Sequence, residues 1–533
     1  MPTSQAPHGA PDDHSQSASE RRQLTPSLLH SSAVVTSGTA LSRVLGLIRD
    51  IAVTHLLGAG VLHDIFVVAL RIPNLFRRLL AEGAFSQALN PVLAEARHES
   101  GEAAASHLAG EVFWMLLLAL AALTAVLTFA APTVVGLIAP GFADDPVRFD
   151  GTVEMLRIVA VYLACVSLGS VAIARLVQHS RFGWGAYAPL TFNLGLIIAV
   201  LLASDSPLTT LAWGVVAAGV SHLAIVMIPA LASGYIRLGA FNPVSPGVRK
   251  VGRLMAPGVL SGSVIQLNQI VGTVLASFLV AGSPTWLYLS DRLVQLPVGL
   301  FAVTLSSVLL PALSRTYAEG DAGGFSARMH WGLSWLMVLS LPAAAGLWLI
   351  AEPLIGLLFE RGAFTPADTQ ATAASLRIYA LGAPAYMLAA VLLPGYFARQ
   401  KPGGPLLFSL ISLAVNFSLA LLLAMHWDWG HVGIAAAGSI AAWVQSLIML
   451  GVLLHSGWCG FRGWPLDTLR AALATVVMAL VLLFAVPGLL GLAGLDGVFW
   501  TVALQVTAGV SVYLAGLFLL GWRLHLGVQG ADL

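Results

Sequence analysis

Six arginines and four carboxylates stand inside stretches of this sequence that are otherwise apolar. They are Arg43, Arg49, Arg71, Arg77, Arg78 and Arg292, with Asp50, Asp64, Glu82 and Asp291. An arginine at the centre of a membrane helix costs about 2.5–3.5 kcal/mol on insertion scales. Four of them facing lipid would cost roughly 10–14 kcal/mol, comparable to the stability of a whole domain. They must therefore face protein or a wet cavity. Internal pairing accounts for part of the set, because Arg78 and Glu82 are one turn apart and Arg49 adjoins Asp50. It leaves a surplus of positive charge that a dry core cannot hold and an anionic ligand resolves. The planar guanidinium fork suits a phosphate oxygen pair. The chemistry to expect is anion binding by Arg43, Arg49, Arg71, Arg77 and Arg292. Asp50, Asp64, Asn74, Glu82 and Asp291 would shape or gate that cavity. Pro73 and Pro297 should loosen the helices beside these charges, as at transport sites.

Only a membrane can position charges this way. The chain has 533 residues, 58% hydrophobic and 10% charged, where a soluble domain has roughly 25% charged. The mean hydropathy is +0.86. A net charge of +1 argues against a nucleic-acid partner, and two distant cysteines exclude a disulfide scaffold. The fold class expected is an all-α polytopic membrane protein of about fourteen transmembrane helices. The spans are read at 31–57, 61–88, 108–138, 152–178, 186–203, 208–232, 249–281, 284–314, 327–357, 367–398, 404–425, 430–455, 467–487 and 497–521. Residues 1–24 are polar and read as a disordered cytoplasmic tail. With both termini in the cytoplasm, Arg and Lys concentrate in the inside connections, and the outside loops hold only Arg148 and Arg361.

The chain also repeats itself at an offset of about 220 residues, a length typical of transporter halves. Leu156-Arg157-Ile158 recurs as Leu376-Arg377-Ile378. Val135-Gly136-Leu137, after Pro132, recurs as Ile355-Gly356-Leu357 after Pro353. Asn193 has a counterpart in Asn416, and Arg71-Ile72-Pro73 in Gln295-Leu296-Pro297. Two six-helix lobes in one orientation follow, at 25–235 and 236–460, with two further helices and a tail in 461–533. Asn193 and Asn416 read as interhelical hydrogen-bonding residues.

The stretch Ser42-Arg43-Val44-Leu45-Gly46-Leu47-Ile48-Arg49-Asp50, with Gly58-Ala59-Gly60 and Asp64, resembles the opening of the MurJ/MviN family. So do Pro73-Asn74-Leu75-Phe76-Arg77-Arg78 and Ala81-Glu82-Gly83-Ala84-Phe85-Ser86-Gln87-Ala88. Ser290-Asp291-Arg292-Leu293 and Leu309-Leu310-Pro311 are similar to the same family in the second half. The resemblance covers about 31–521. It implies a flippase, not an enzyme, for lipid II, the undecaprenyl-diphosphate-linked disaccharide-pentapeptide of peptidoglycan and cell-wall biogenesis. It also implies the fold of the multidrug/oligosaccharidyl-lipid/polysaccharide exporter superfamily and a multi-pass place in the bacterial inner membrane. Membrane lipids and other cell-wall synthesis proteins are its implied partners, and no cofactor is expected. The family's cavity arginines match Arg43, Arg49, Arg77 and Arg292, and its acids match Asp50, Asp64 and Glu82. Two departures stand out: Gln295 replaces a frequent Glu, and Gly272 occupies a position often held by Asp, so sodium coupling there is not expected.

Rival functions fit less well. A lipid-linked glycosyltransferase needs paired carboxylates or a metal at the outer face. Asp144-Asp145, before Pro146, reads instead as a solvated turn. A cationic-drug exporter wants an acidic cavity, and a scaffold needs no buried arginine. A flippase of another polyprenyl-diphosphate-linked glycan would share the basic cavity. No G-x-x-x-x-G-K-[ST] motif is present.

Overall fold

The computed structural model describes residues 13–522, apart from 81–83, 240, 243, 402, 461–463 and 494–496. All regular structure among them is helical. The long segments are α1 (Asp13–Leu57), α2 (Val61–Leu80), α3 (Ala84–Phe129), α4 (Pro146–Gln178), α5 (Phe182–Leu202), α6 (Pro207–Ala232) and α7 (Pro246–Ser277). They continue as α8 (Ser283–Ala318), α9 (Ala322–Leu349), α10 (Pro366–Ala398), α11 (Gly403–His426), α12 (Gly430–His455), α13 (Trp464–Leu489) and α14 (Val498–Leu519). Eleven are long and apolar enough to cross a bilayer. The other three, α1, α2 and α7, carry many of the charged and amide side chains.

Local chemistry sets where helices begin. Asp145 caps α4 by accepting from Val147 N and Arg148 N, with Pro146 in the first turn. Asp321 caps α9, and Thr365 with Asp368 forms a reciprocal capping box on α10. The Asp144-Asp145 pair is thus a turn and cap, as the sequence suggests.

Two segments differ from expectation. α2 is described as far as Leu80, whereas the expected span runs to residue 88. Phe85, Ala88, Leu89, Val92 and Leu93 are buried while Gln87, Asn90 and Glu95 are exposed, so they begin α3 as an amphipathic stretch. That stretch bends into the spanning part at Gly101, whose φ of 82° and ψ of 177° suit glycine alone. At the other end, α1 is described from Asp13, so residues 13–24, expected as part of a disordered tail, are helical and hold no Gly or Pro. Residues 1–12 and 523–533 lie outside the described residues.

The internal repeat is physical. A short helix carrying the repeated Pro follows α3 (Ala131–Ile138) and again α9 (Ala351–Phe359). Val135 and Ile355 are fully buried at matching places, as are Leu156 and Leu376. Asn193 on α5 donates to Ser42 O on α1 at 3.0 Å, and Asn416 on α11 donates to Asn268 on α7. Each half therefore ties its fifth helix to its first. One large core unites α1–α6 and also takes in Val248 and Val251 of α7. Smaller cores serve the second half. α13 and α14 attach to it through Val338 of α9, packed on Ala471, Ala474, Met478 and Leu517, with Tyr513 Oη donating to Val338 O.

Candidate functional site: an arginine-lined cavity between the halves

A cavity of about 850 Å³ opens between α1, α2 and α5 of the first half and α7 and α8 of the second. Arg43, Arg49, Arg71, Arg77 and Arg292 all line it, and so do Asn74 and Asp291. Arg43 and Arg292, 249 positions apart in sequence, thus share one wall. Arg78 joins them, so that among the described residues six arginines line the cavity against one carboxylate, Asp291.

Each charged group has a distinct holder. Asp50 lies behind the wall and is buried. Its carboxylate accepts from Arg49 Nε at 3.0 Å and Nη2 at 2.5 Å, from Arg292 Nε at 3.1 Å, and from Tyr288 Oη at 3.1 Å. One carboxylate therefore aims two guanidiniums, one from each half. Arg49 also donates to Asn193 Oδ1 at 3.1 Å and lies over the Phe192 ring at 5.2 Å. Arg43 Nη2 donates to Gly299 O at 3.1 Å. Arg71 donates to Thr273 Oγ1, and Arg78 to Gln269 Oε1 at 3.2 Å, both on α7. Arg77 Nε donates to Asn74 Oδ1 at 3.3 Å. Gln295, where a Glu is frequent in the family resembled, donates to Asp291 Oδ1 at 3.3 Å; a glutamate would repel that carboxylate.

Asp64 is elsewhere. It is fully buried near the start of α2 and far from the lining residues in role. Its carboxylate accepts from Gly282 N at 2.7 Å, Thr285 N at 3.2 Å and Thr285 Oγ1 at 2.7 Å. Gly282 is the N-cap position of α8 and has no side chain to offer. Asp64 supplies the missing cap from the opposite half. The seven-residue spacing to Arg71 suggests a shared face, but the helix end outcompetes the distant cation. Other bonds cross between the halves at this end: Gly141 N to Ser277 Oγ at 3.0 Å, Arg148 Nη1 to Leu279 O at 3.4 Å, and Ala363 N to His55 O at 3.1 Å. Glu82, expected at the cavity, lies outside the described residues.

Sequence reasoning missed Tyr288, Phe192 and Gln269 as cavity residues and Thr273 as the partner of Arg71, since neutral side chains in apolar helices carry no charge penalty to flag them. Asn193 reads correctly as an interhelical bond, yet it also holds Arg49. Among the described residues, no three His, Cys, Asp or Glu side chains converge as a metal site would require.

Residues 53–491 match the family model described as "Lipid II flippase MurJ". The chain belongs to the MurJ family. A "Probable lipid II flippase MurJ" of Rhizobium meliloti is 37% identical over 521 residues, covering 95% of each chain. The protein of the same description from Vibrio cholerae is 34% identical, covering 93% of this chain and 97% of its own. Among solved structures, "Lipid II flippase MurJ, inward closed conformation" superposes with a TM-score of 0.77 at 24% identity, over 91% of this chain and 98% of that one. An inward-facing multidrug transporter of the MOP superfamily aligns at a TM-score of 0.63 and 13% identity, over 78% and 95%. These two likenesses show the fold alone, that of an all-helical multi-pass membrane protein.

Proposed function

We propose that this chain flips lipid II from the inner to the outer leaflet of the bacterial inner membrane by alternating access. The observation that carries the reading is the cavity that, among the described residues, six arginines and one carboxylate line. A lining with that excess of positive charge favours an anion, and a diphosphate offers oxygens to several guanidinium forks at once. Arg43, Arg49, Arg71, Arg77 and Arg292 hold the diphosphate; Asp50 and Asn74 aim them. The polyprenyl tail stays in lipid. The termini lie in the cytoplasm, because Arg and Lys gather in the connections on that side. On this orientation the Asp64 cap and its neighbouring cross-links form the outer seal, and the cavity discharges outward when they break. Membrane potential can bias the cycle, since moving one charge through 100 mV is worth about 2.3 kcal/mol, about fifty-fold between two states. Other cell-wall synthesis proteins are the partners this position suits.

The test is complementation of a bacterium depleted of its own lipid II flippase, scoring growth and outer-leaflet lipid II. Wild type should rescue; Arg49→Ala and Arg292→Ala should reach the membrane and fail. Asp50 keeps Tyr288 and the other arginine in either variant, so the fold survives. Rescue by both variants would remove the anion-cavity reading. Failure of correctly inserted wild type would point to another polyprenyl-diphosphate-linked glycan.

A further inference from the structure

α1 and α8 meet in the cavity wall through a reciprocal arrangement. A Cβ added at Gly46 of α1 would lie 2.8 Å from Arg292 Nη2 of α8. A Cβ added at Gly299 of α8 would lie 2.8 Å from Arg43 Nη2 and 3.0 Å from its Nη1. Each half's arginine thus rests on the other half's glycine. Arg43 and Gly46 are three residues apart, and Arg292 and Gly299 seven, so each helix presents both members on one face. Gly299 lies in the π-helical turn Val298–Ala302, just after Pro297, where the chain is widened and its carbonyl accepts from Arg43.

Glycine inside a helix is about 0.5–1 kcal/mol worse than alanine, so a reason is needed at each position. Close helix packing is the usual one in membranes. Here the first atoms a side chain would meet are guanidinium nitrogens, not a neighbouring backbone. Gly110 and Gly141 show the contrast, since a Cβ there would strike the backbone of Arg237 or Ser277.

We propose that Gly46 and Gly299 are positioning residues for the cavity arginines, so that each half holds the other half's anion-binding group. The inference rests on the reading that these arginines hold the diphosphate. It adds a link between the halves. Arg43 spends Nη2 on Gly299 O and lines the cavity, which leaves the other N–H donors of its planar fork for a phosphate oxygen. The backbone of one half therefore sets the direction from which the other half's arginine meets the diphosphate.

The test is lipid II binding to the full-length chain in lipid nanodiscs, with the melting temperature of each variant. Gly46→Ala and Gly299→Ala should each weaken binding about tenfold, the worth of one charged hydrogen bond. Both should melt near wild type, because the displaced atoms are the ends of flexible side chains. The decisive comparison is the paired variants. Gly299→Ala should add nothing once Arg43→Ala is present, and Gly46→Ala nothing once Arg292→Ala is present. Should an alanine lower the melting temperature, its paired Arg→Ala should restore it. Undiminished glycine effects in the arginine-free backgrounds would mean helix packing and overturn the inference, as would unchanged binding in both single glycine variants. Wild-type binding by both Arg43→Ala and Arg292→Ala would defeat the diphosphate-site reading itself, and this inference with it.

Discussion

Asp50 serves two guanidiniums and a phenol with one buried carboxylate. Removing a partner from a buried ion pair costs about 3–5 kcal/mol, because the remaining charge is left uncompensated. Asp50→Ala should therefore destabilise the chain by about that amount, against much less for Arg49→Ala, which leaves the carboxylate with Arg292. Thermal unfolding in detergent measures the difference, and equal losses would contradict the shared-carboxylate geometry. The five arginines expected to bind were legible from their cost in lipid. Which carboxylate serves which arginine was not. Asp64 and Asp50 look alike in sequence, yet one caps a helix across the halves and the other stands behind the cavity wall.

The bend of α3 depends on two separate devices. Gly101 holds a backbone conformation reserved for glycine, so Gly101→Ala should cost about 1–3 kcal/mol. Beside it, Arg175 at the end of α4 is fully buried. It donates to Tyr235 O at 2.8 Å, Gln178 Oε1 at 2.6 Å, Ser106 Oγ at 3.3 Å and Glu102. Arg175→Ala leaves buried Ser106 and half-buried Tyr235 O and Gln178 without this donor and should cost about 1–3 kcal/mol. Glu102 retains Arg97 at 2.9 Å, which limits the loss. Denaturation midpoints check both, and a neutral Gly101→Ala would contradict the bend. On α4, the Asp145 carboxyl is held below the ordinary carboxylate range by hydrogen bonds from the Arg148 side chain and backbone. A depressed pKa contributes stability that is present above the unfolded value, about 4, and lost as pH falls through the folded value. The stability gap between wild type and Asp145→Ala should therefore be full at neutral pH and shrink in acid. A gap that widens in acid would reverse the sign.

Across the molecule, the polar bonds around Asp64 join the halves at one end of the cavity. Only the state closed at that end contains the Asp64 cap. A cap is worth about 0.5–2 kcal/mol, so Asp64→Ala should shift the closed-to-open ratio about 2- to 30-fold. Ser170→Cys, in the cavity wall, reports it through labelling by an impermeant thiol reagent from the side of the 279–282 turn. Labelling should rise in the Asp64→Ala background. An unchanged rate would mean that the cap does not hold the seal.

The sequence alone determined the class of molecule, because its few charges cannot cover a soluble surface and its apolar runs match a bilayer. It determined the repeat, since buried residues of one half must recur in the other, and it marked the cavity arginines by their cost in lipid. Tertiary structure decided the rest. The amphipathic stretch at 85–95 of α3 depends on what packs against it, not on hydropathy. Asp64 became a cap because Gly282 leaves a helix end unsatisfied 218 positions away. Tyr288, Gln269 and the Arg-on-Gly contacts of α1 and α8 exist only where two distant helices meet, since a neutral side chain or a glycine acquires its role from its neighbour.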